Sequence, residues 1–157
     1  MKILPPDASP PLRLLMATNR LLDRPQPDWV VQAPDREMWV AAVIQADEAV
    51  YTLHEADEDA LTKFDHRSAK SKRTLLKRPL PDWARYPAGV ITLLGDSGVQ
   101  VPGFVAVLAG DEPPGPRHAF GTGLAMAALC HELTQTPYTV AQLQTLVDRV
   151  RRLYLDG

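Results

Sequence analysis

The sequence predicts an α+β fold, helices packed on a sheet, as a single domain over residues 1–157. Three observations predict it. Tyr86 to Leu133 reads as helix, strand, Gly/Pro-rich turn and long apolar helix. Asp28–Ala33, Glu37–Gln45 and Glu48–Glu55 are short runs of β-favouring residues. Val140, Leu143, Leu146, Val147, Val150, Leu153 and Tyr154 recur at helical spacing behind a Thr139–Gln142 capping box.

In chain order, Ser9 followed by Pro10 is a helix start, a capping hydroxyl and then a residue with no N–H to leave unpaired. Leu12, Leu15, Met16 and Leu22 then share a face. Asp28–Ala33 is a strand; Glu37–Gln45 and Glu48–Glu55 form a strand pair around a tight turn near Ala46–Asp47; Ala60–His66 is a further strand. Ser68–Pro79 carries Lys70, Lys72, Arg73, Lys77 and Arg78 and reads as a solvated loop in preference to a basic patch for an anionic ligand. Asp82 caps a helix that Gly95 stops, and Pro87 within it implies a kink or a late start. Val99–Leu108 is a buried strand, and the helix after it opens near Gly121 and Gly123, burying Phe120, Leu124 and Ala128. The final helix needs a cover for its apolar face.

Composition narrows the function classes. A chain with 45% apolar and 23% charged residues has the makings of an ordinary globular core. A net charge of −2 argues against a general nucleic-acid binder. One cysteine, Cys130, rules out an internal disulfide and a Cys-rich metal site and fits a reducing cytoplasm. No apolar run of spanning length and no signal peptide is present, so no membrane partner is expected.

Gly115 to Gly123 is the one stretch with the form of a ligand loop. A Gly-rich turn feeding a helix start presents unpaired N–H groups and the positive end of the helix dipole, which suit an anion. By spacing alone it reads either as a phosphate loop or as a plain strand–turn–helix. It has no GKS or GKT, and GTG lacks the third glycine of a dinucleotide fingerprint.

PGFVAVLAGDEPPGPRHAFGTGLAMAALCHEL, flanked by DWARYPAGVITLL and TPYTVAQLQTLVDRVRRLYLDG, resembles galactokinases of the GHMP sugar-kinase family. In that family a strand ending in "GD-P-GAGLSSSAALE" wraps the nucleotide phosphates. Upstream, LRLLMATNRLLDRPQPDWVVQAP resembles the opening helix and strand that lead into "APGRVNLIGEHTDYN". The resemblance spans nearly the whole chain, which corresponds to less than half of a galactokinase. It implies the N-terminal portion of the GHMP fold, an antiparallel sheet backed by helices, with ATP and magnesium as the family's cofactors.

Residue by residue, it points to Gly115, Arg117, His118, Gly121, Thr122 and Gly123 as the phosphate loop and to Arg36 as a substrate contact. The matches are incomplete. Ala119, Phe120 and Gly121 replace the serine run, whose hydroxyls Ala and Phe cannot supply. Ala125 replaces the glutamate. Ala33, Pro34 and Arg36 match the sugar motif, with Asp35 at its second glycine, but GEHTDYN has no counterpart. The aspartate of "GIMDQ" would fall beyond Gly157, so no catalytic residue is assigned.

The resemblance therefore implies a galactokinase-like chain that does not transfer phosphoryl by itself. The alternatives are a regulatory module binding sugar or nucleotide, and one half of a split kinase. Self-association or a complementary C-terminal half would use the last helix.

Other candidates reduce to structure. Cys130, His131 and Glu132 are adjacent on a helix and point about 100° apart, too divergent for a triad. Gln135 stands where a second zinc-binding histidine would be needed, and no metal site is assigned. His54 and His66 read as surface residues near strand edges.

Overall fold

A computed structural model describes residues 10–22, 26–45 and 47–156. The Ser9 cap, Ala46 and Gly157 lie outside them. The order is α1 (Leu12–Leu22), β1 (Trp29–Gln32), β2 (Met38–Ile44), β3 (Val50–Glu55), β4 (Ala60–Asp65), α2 (His66–Lys70), a 3-10 turn (Asp82–Ala84), α3 (Arg85–Asp96), β5 (Phe104–Gly110), α4 (Pro116–Leu133) and α5 (Val140–Arg149). A π-helical segment (Val150–Leu155) prolongs α5.

Five strands form one sheet in the order β1-β2-β5-β3-β4. Three of its pairings are antiparallel, while β5 runs parallel to β3, with Leu53 opposite Ala106 and Glu55 opposite Leu108. The expected β2–β3 hairpin is corrected: β5 lies between them. All seven residues of β5 are buried, so it can serve only as the centre of a sheet covered on both faces.

The pleat divides β5 between two layers. Phe104, Ala106 and Leu108 face the main core with α3 and α4; Val107 and Ala109 face α1. The α1 stripe is also corrected. Leu14, Ala17 and Thr18 go inward, and Leu12 and Met16 are 70% and 54% exposed. Small Ala17 and Thr18 let the helix approach the sheet, and Thr18 satisfies its hydroxyl on Leu14 O at 2.7 Å.

Boundaries shift for local reasons. β5 starts at Phe104 because Val99 closes α3, donating to Leu94 O at 2.9 Å, and Pro102–Gly103 follows. α3 starts late, placing Pro87 in its first turn, where an N–H has no helical partner anyway. The capping box of α5 forms as expected: Gln142 N donates to Thr139 Oγ1 at 3.1 Å and Thr139 N to Gln142 Oε1 at 2.9 Å. Leu143, Val147, Val150 and Tyr154 are buried. This face is covered inside the chain, Val147 meeting α4 at Gly123 and Val150 and Tyr154 meeting α3 at Gly89. Among the described residues no helix is long and apolar enough to cross a membrane.

Candidate functional site

β5 delivers the chain at Gly110 into Asp111–Gly115, and α4 begins at Pro116. Gly115 has φ +116° and ψ −157°, a region that a side chain rarely enters, and it turns the chain sharply into the helix. Pro116 takes the first helical position, the place a proline suits best. Ala119 N donates to Gly115 O at 3.0 Å. The open amides of this helix start are those of Arg117 and His118.

The helix opening expected at Gly121 and Gly123 is therefore corrected. They are the sixth and eighth residues of α4, and their N–H groups lie within the helical ladder. Both are buried, as is Thr122, whose hydroxyl donates to Ala119 O at 2.6 Å. Gly123 has a packing reason: a Cβ there would stand 2.8 Å from Val147 Cγ1 and 3.1 Å from Tyr86 Cδ1.

Arg36 and Arg117 converge on a residue that sequence reasoning missed, Glu112. It is 8% exposed. Its Oε2 accepts from Arg117 Nε at 3.2 Å, and its Oε1 lies 3.8 Å from Arg36 Nη1. Arg36 comes from the β1–β2 turn, and its guanidinium sits 5.8 Å over the Phe120 ring. That turn needs a left-handed residue, and Asp35 supplies it with φ +59°.

A cleft of about 410 Å³ opens beside these groups. Glu55, Asp57 and Glu58 form one wall, Gly110, Glu112, Pro114 and Gly115 another, with Trp83 and His118 completing it. Burial pushes the Glu55 carboxyl above the usual carboxylate range, against the backbone N–H groups of Glu58 and Asp57 that hold its charged form. Glu58 N donates to Glu55 Oε2 at 2.6 Å. Arg13 of α1 ties the rim together, donating to Asp57 Oδ1 at 2.5 Å, Asp111 Oδ1 at 2.8 Å and Gly110 O at 2.5 Å. The wall that sequence reasoning read only as strand end and turn is thus acidic. The signal was present in the run Glu55, Asp57, Glu58, Asp59, but only the fold brings it to Glu112.

Away from the cleft, His54 is buried rather than at the surface, because β4 and β5 flank its strand; its Nε2 meets Asp59 Oδ1 at 2.9 Å. His66 is half-buried, with Nε2 3.3 Å from Thr92 O. Cys130 is enclosed, and burial pushes its thiol up to about 12. His131 Nδ1 lies 2.7 Å from Ala127 O, and Glu132 Oε1 accepts from Tyr138 OH at 3.1 Å. Among the described residues no three His, Cys, Asp or Glu side chains are grouped to hold a metal ion.

The five-stranded sheet with helices packed on it is a mixed α+β fold whose structural neighbours are GHMP kinases. Solved structures it resembles include mevalonate kinases. The Methanococcus jannaschii mevalonate kinase superposes with a TM-score of 0.54 at 11% identity, over 74% of this chain and 37% of that one. A second mevalonate kinase gives 0.50 at 13% identity, over 75% and 38%. The chain thus spans less than two-fifths of these neighbours, and the likeness is one of fold. No protein-family model and no curated protein matches the sequence.

Proposed function

We propose that this chain is a galactokinase-like member of the fold that does not hold Mg-ATP and does not transfer phosphoryl by itself. The observation that carries the reading is Glu112: Arg117 of the expected phosphate loop and Arg36, the expected substrate contact, are both turned onto one buried carboxylate of the chain itself. A phosphate entering beside α4 would have to displace Glu112, then face Glu55, Asp57 and Glu58 across the cleft. In a partly buried site such like-charge proximity is screened less than in water. The family's serine hydroxyls are replaced, and Gly123 packs α4 against Val147 and Tyr86. The residues present do not fit a triphosphate.

The reading is tested by titrating Mg-ATP calorimetrically into the wild-type chain and into Glu112→Gln. The wild type gives no binding heat. Glu112→Gln frees two guanidiniums and gains weak binding. Binding by the wild type, or sugar-dependent ATP turnover, would overturn the reading, and a variant as silent as the wild type would remove Glu112 as its cause.

A second reading, a regulatory module that binds a neutral sugar, is favoured by the composition of the same wall. Carboxylates accept hydrogen bonds from sugar hydroxyls, and Trp83 adds an apolar surface. Galactose heat without ATP heat would favour it.

A further inference from the structure

Seven of the chain's 17 lysines and arginines fall between Lys63 and Arg78, against one aspartate. The segment was expected to be a solvated loop, and it is a built one. Thr74 N donates to Arg78 O at 2.8 Å and Lys77 N to Thr74 O at 2.9 Å. The Thr74 hydroxyl receives Leu76 N at 3.2 Å and Arg78 N at 3.3 Å. Leu75 N donates to Lys63 O at 3.0 Å, pinning the turn to β4, and Arg73 pairs with Pro79. Lys72 and Lys77 hold left-handed backbone, φ +59° and +64°, so the turn is sharp.

Two features distinguish this turn from a merely charged one. Leu76 at its tip is 80% exposed and Leu75 beside it 39%, an unusual placement for adjacent leucines. Lys70 is neutralised by Asp96 at 3.2 Å and Lys72 lies over the Tyr154 ring. Lys63, Arg67, Arg73, Lys77 and Arg78 pair with no carboxylate among the described residues.

We propose that this leucine-tipped basic turn docks the protein on an anionic lipid surface. Cations are drawn to anionic headgroups, and an exposed apolar tip enters the headgroup–acyl boundary. Residues 75–79 are all exposed, and such a convex turn is small beside the roughly 800 Å² that a stable protein interface takes from each partner. It carries no aromatic ring to stack on nucleobases. This departs from the expectation of no membrane contact, which rested on spanning segments and does not bear on a docked turn.

The test is co-sedimentation of the full chain with vesicles of phosphatidylcholine containing about 30% phosphatidylserine, and with phosphatidylcholine alone. Binding is expected only to the anionic vesicles. Replacing Lys77 and Arg78 together with alanine should weaken it by about 25-fold, near fivefold for each cation. Leu76→Ser should weaken it by about tenfold at unchanged charge. All three side chains are exposed, so the variants should melt with the wild type; that comparison serves as the folding control. No sedimentation with anionic vesicles would overturn the proposal. So would Leu76→Ser binding as tightly as the wild type, or single-stranded RNA competing the protein off the vesicles with Leu76→Ser equally affected.

Discussion

At the residue scale, the cleft keeps a carboxyl where ionisation is unfavourable. Glu55 holds its proton more tightly folded than unfolded, because burial outweighs two backbone hydrogen bonds. The sign follows: the native state binds the extra proton, so stability falls as pH rises from the ordinary carboxylate range through the raised Glu55 value, then levels. Glu55→Gln should therefore melt higher than wild type at pH 8 and no higher at pH 4, in parallel melts at the two pH values. Cys130 is the opposite kind of residue, enclosed and protonated. It should resist a maleimide in the folded chain and react fully in denaturant. The sequence placed Cys130 on a helix with His131 and Glu132 pointing away from it, and so outside any triad. It also pointed to Arg36 and Arg117, but their common partner Glu112 lies 76 residues from the first and on a different element. No local pattern marks such a carboxylate.

At the element scale, the helices are held together where glycine lets them touch. A Cβ at Gly89 of α3 would stand 2.4 Å from Val150 Cγ1 and 2.8 Å from Tyr154 Cδ2, and one at Gly123 of α4 would crowd Val147. Tyr154 itself donates its hydroxyl to Ala69 O, tying the last turns to α2. Gly89→Ala should destabilise by about 1–3 kcal/mol, since overpacking outweighs the gain in helix propensity. Gly123→Ala should cost less, its shortest contact being longer, and leave any ligand response unchanged. Chemical denaturation of each variant measures both. The longer helices, their order and the capping box of α5 were legible because their signals are local, whereas the five-residue α2 lies where the sequence reads as strand end and loop. The inward face of α1 was not, because that helix carries two apolar stripes and only the sheet decides which one it covers.

At the scale of the whole molecule, β5 inserts between β2 and β3 and makes three layers of the chain: α1, the sheet, and the α3–α4–α5 group. Pairing across roughly fifty to seventy residues of sequence leaves no periodic trace, so the sequence read a hairpin there instead. The turn after that strand carries an internal ion-pair cluster beside an acidic wall. The proposal that this folded chain does not hold Mg-ATP is tested most directly by thermal unfolding of the isolated chain with and without Mg-ATP. The account predicts one sharp transition at the same midpoint in both. A ligand at a hundredfold excess over its dissociation constant would add about 2.7 kcal/mol, a shift of roughly 5–10 °C for a chain of this size. A shift of that order, or no cooperative transition at all, would contradict it.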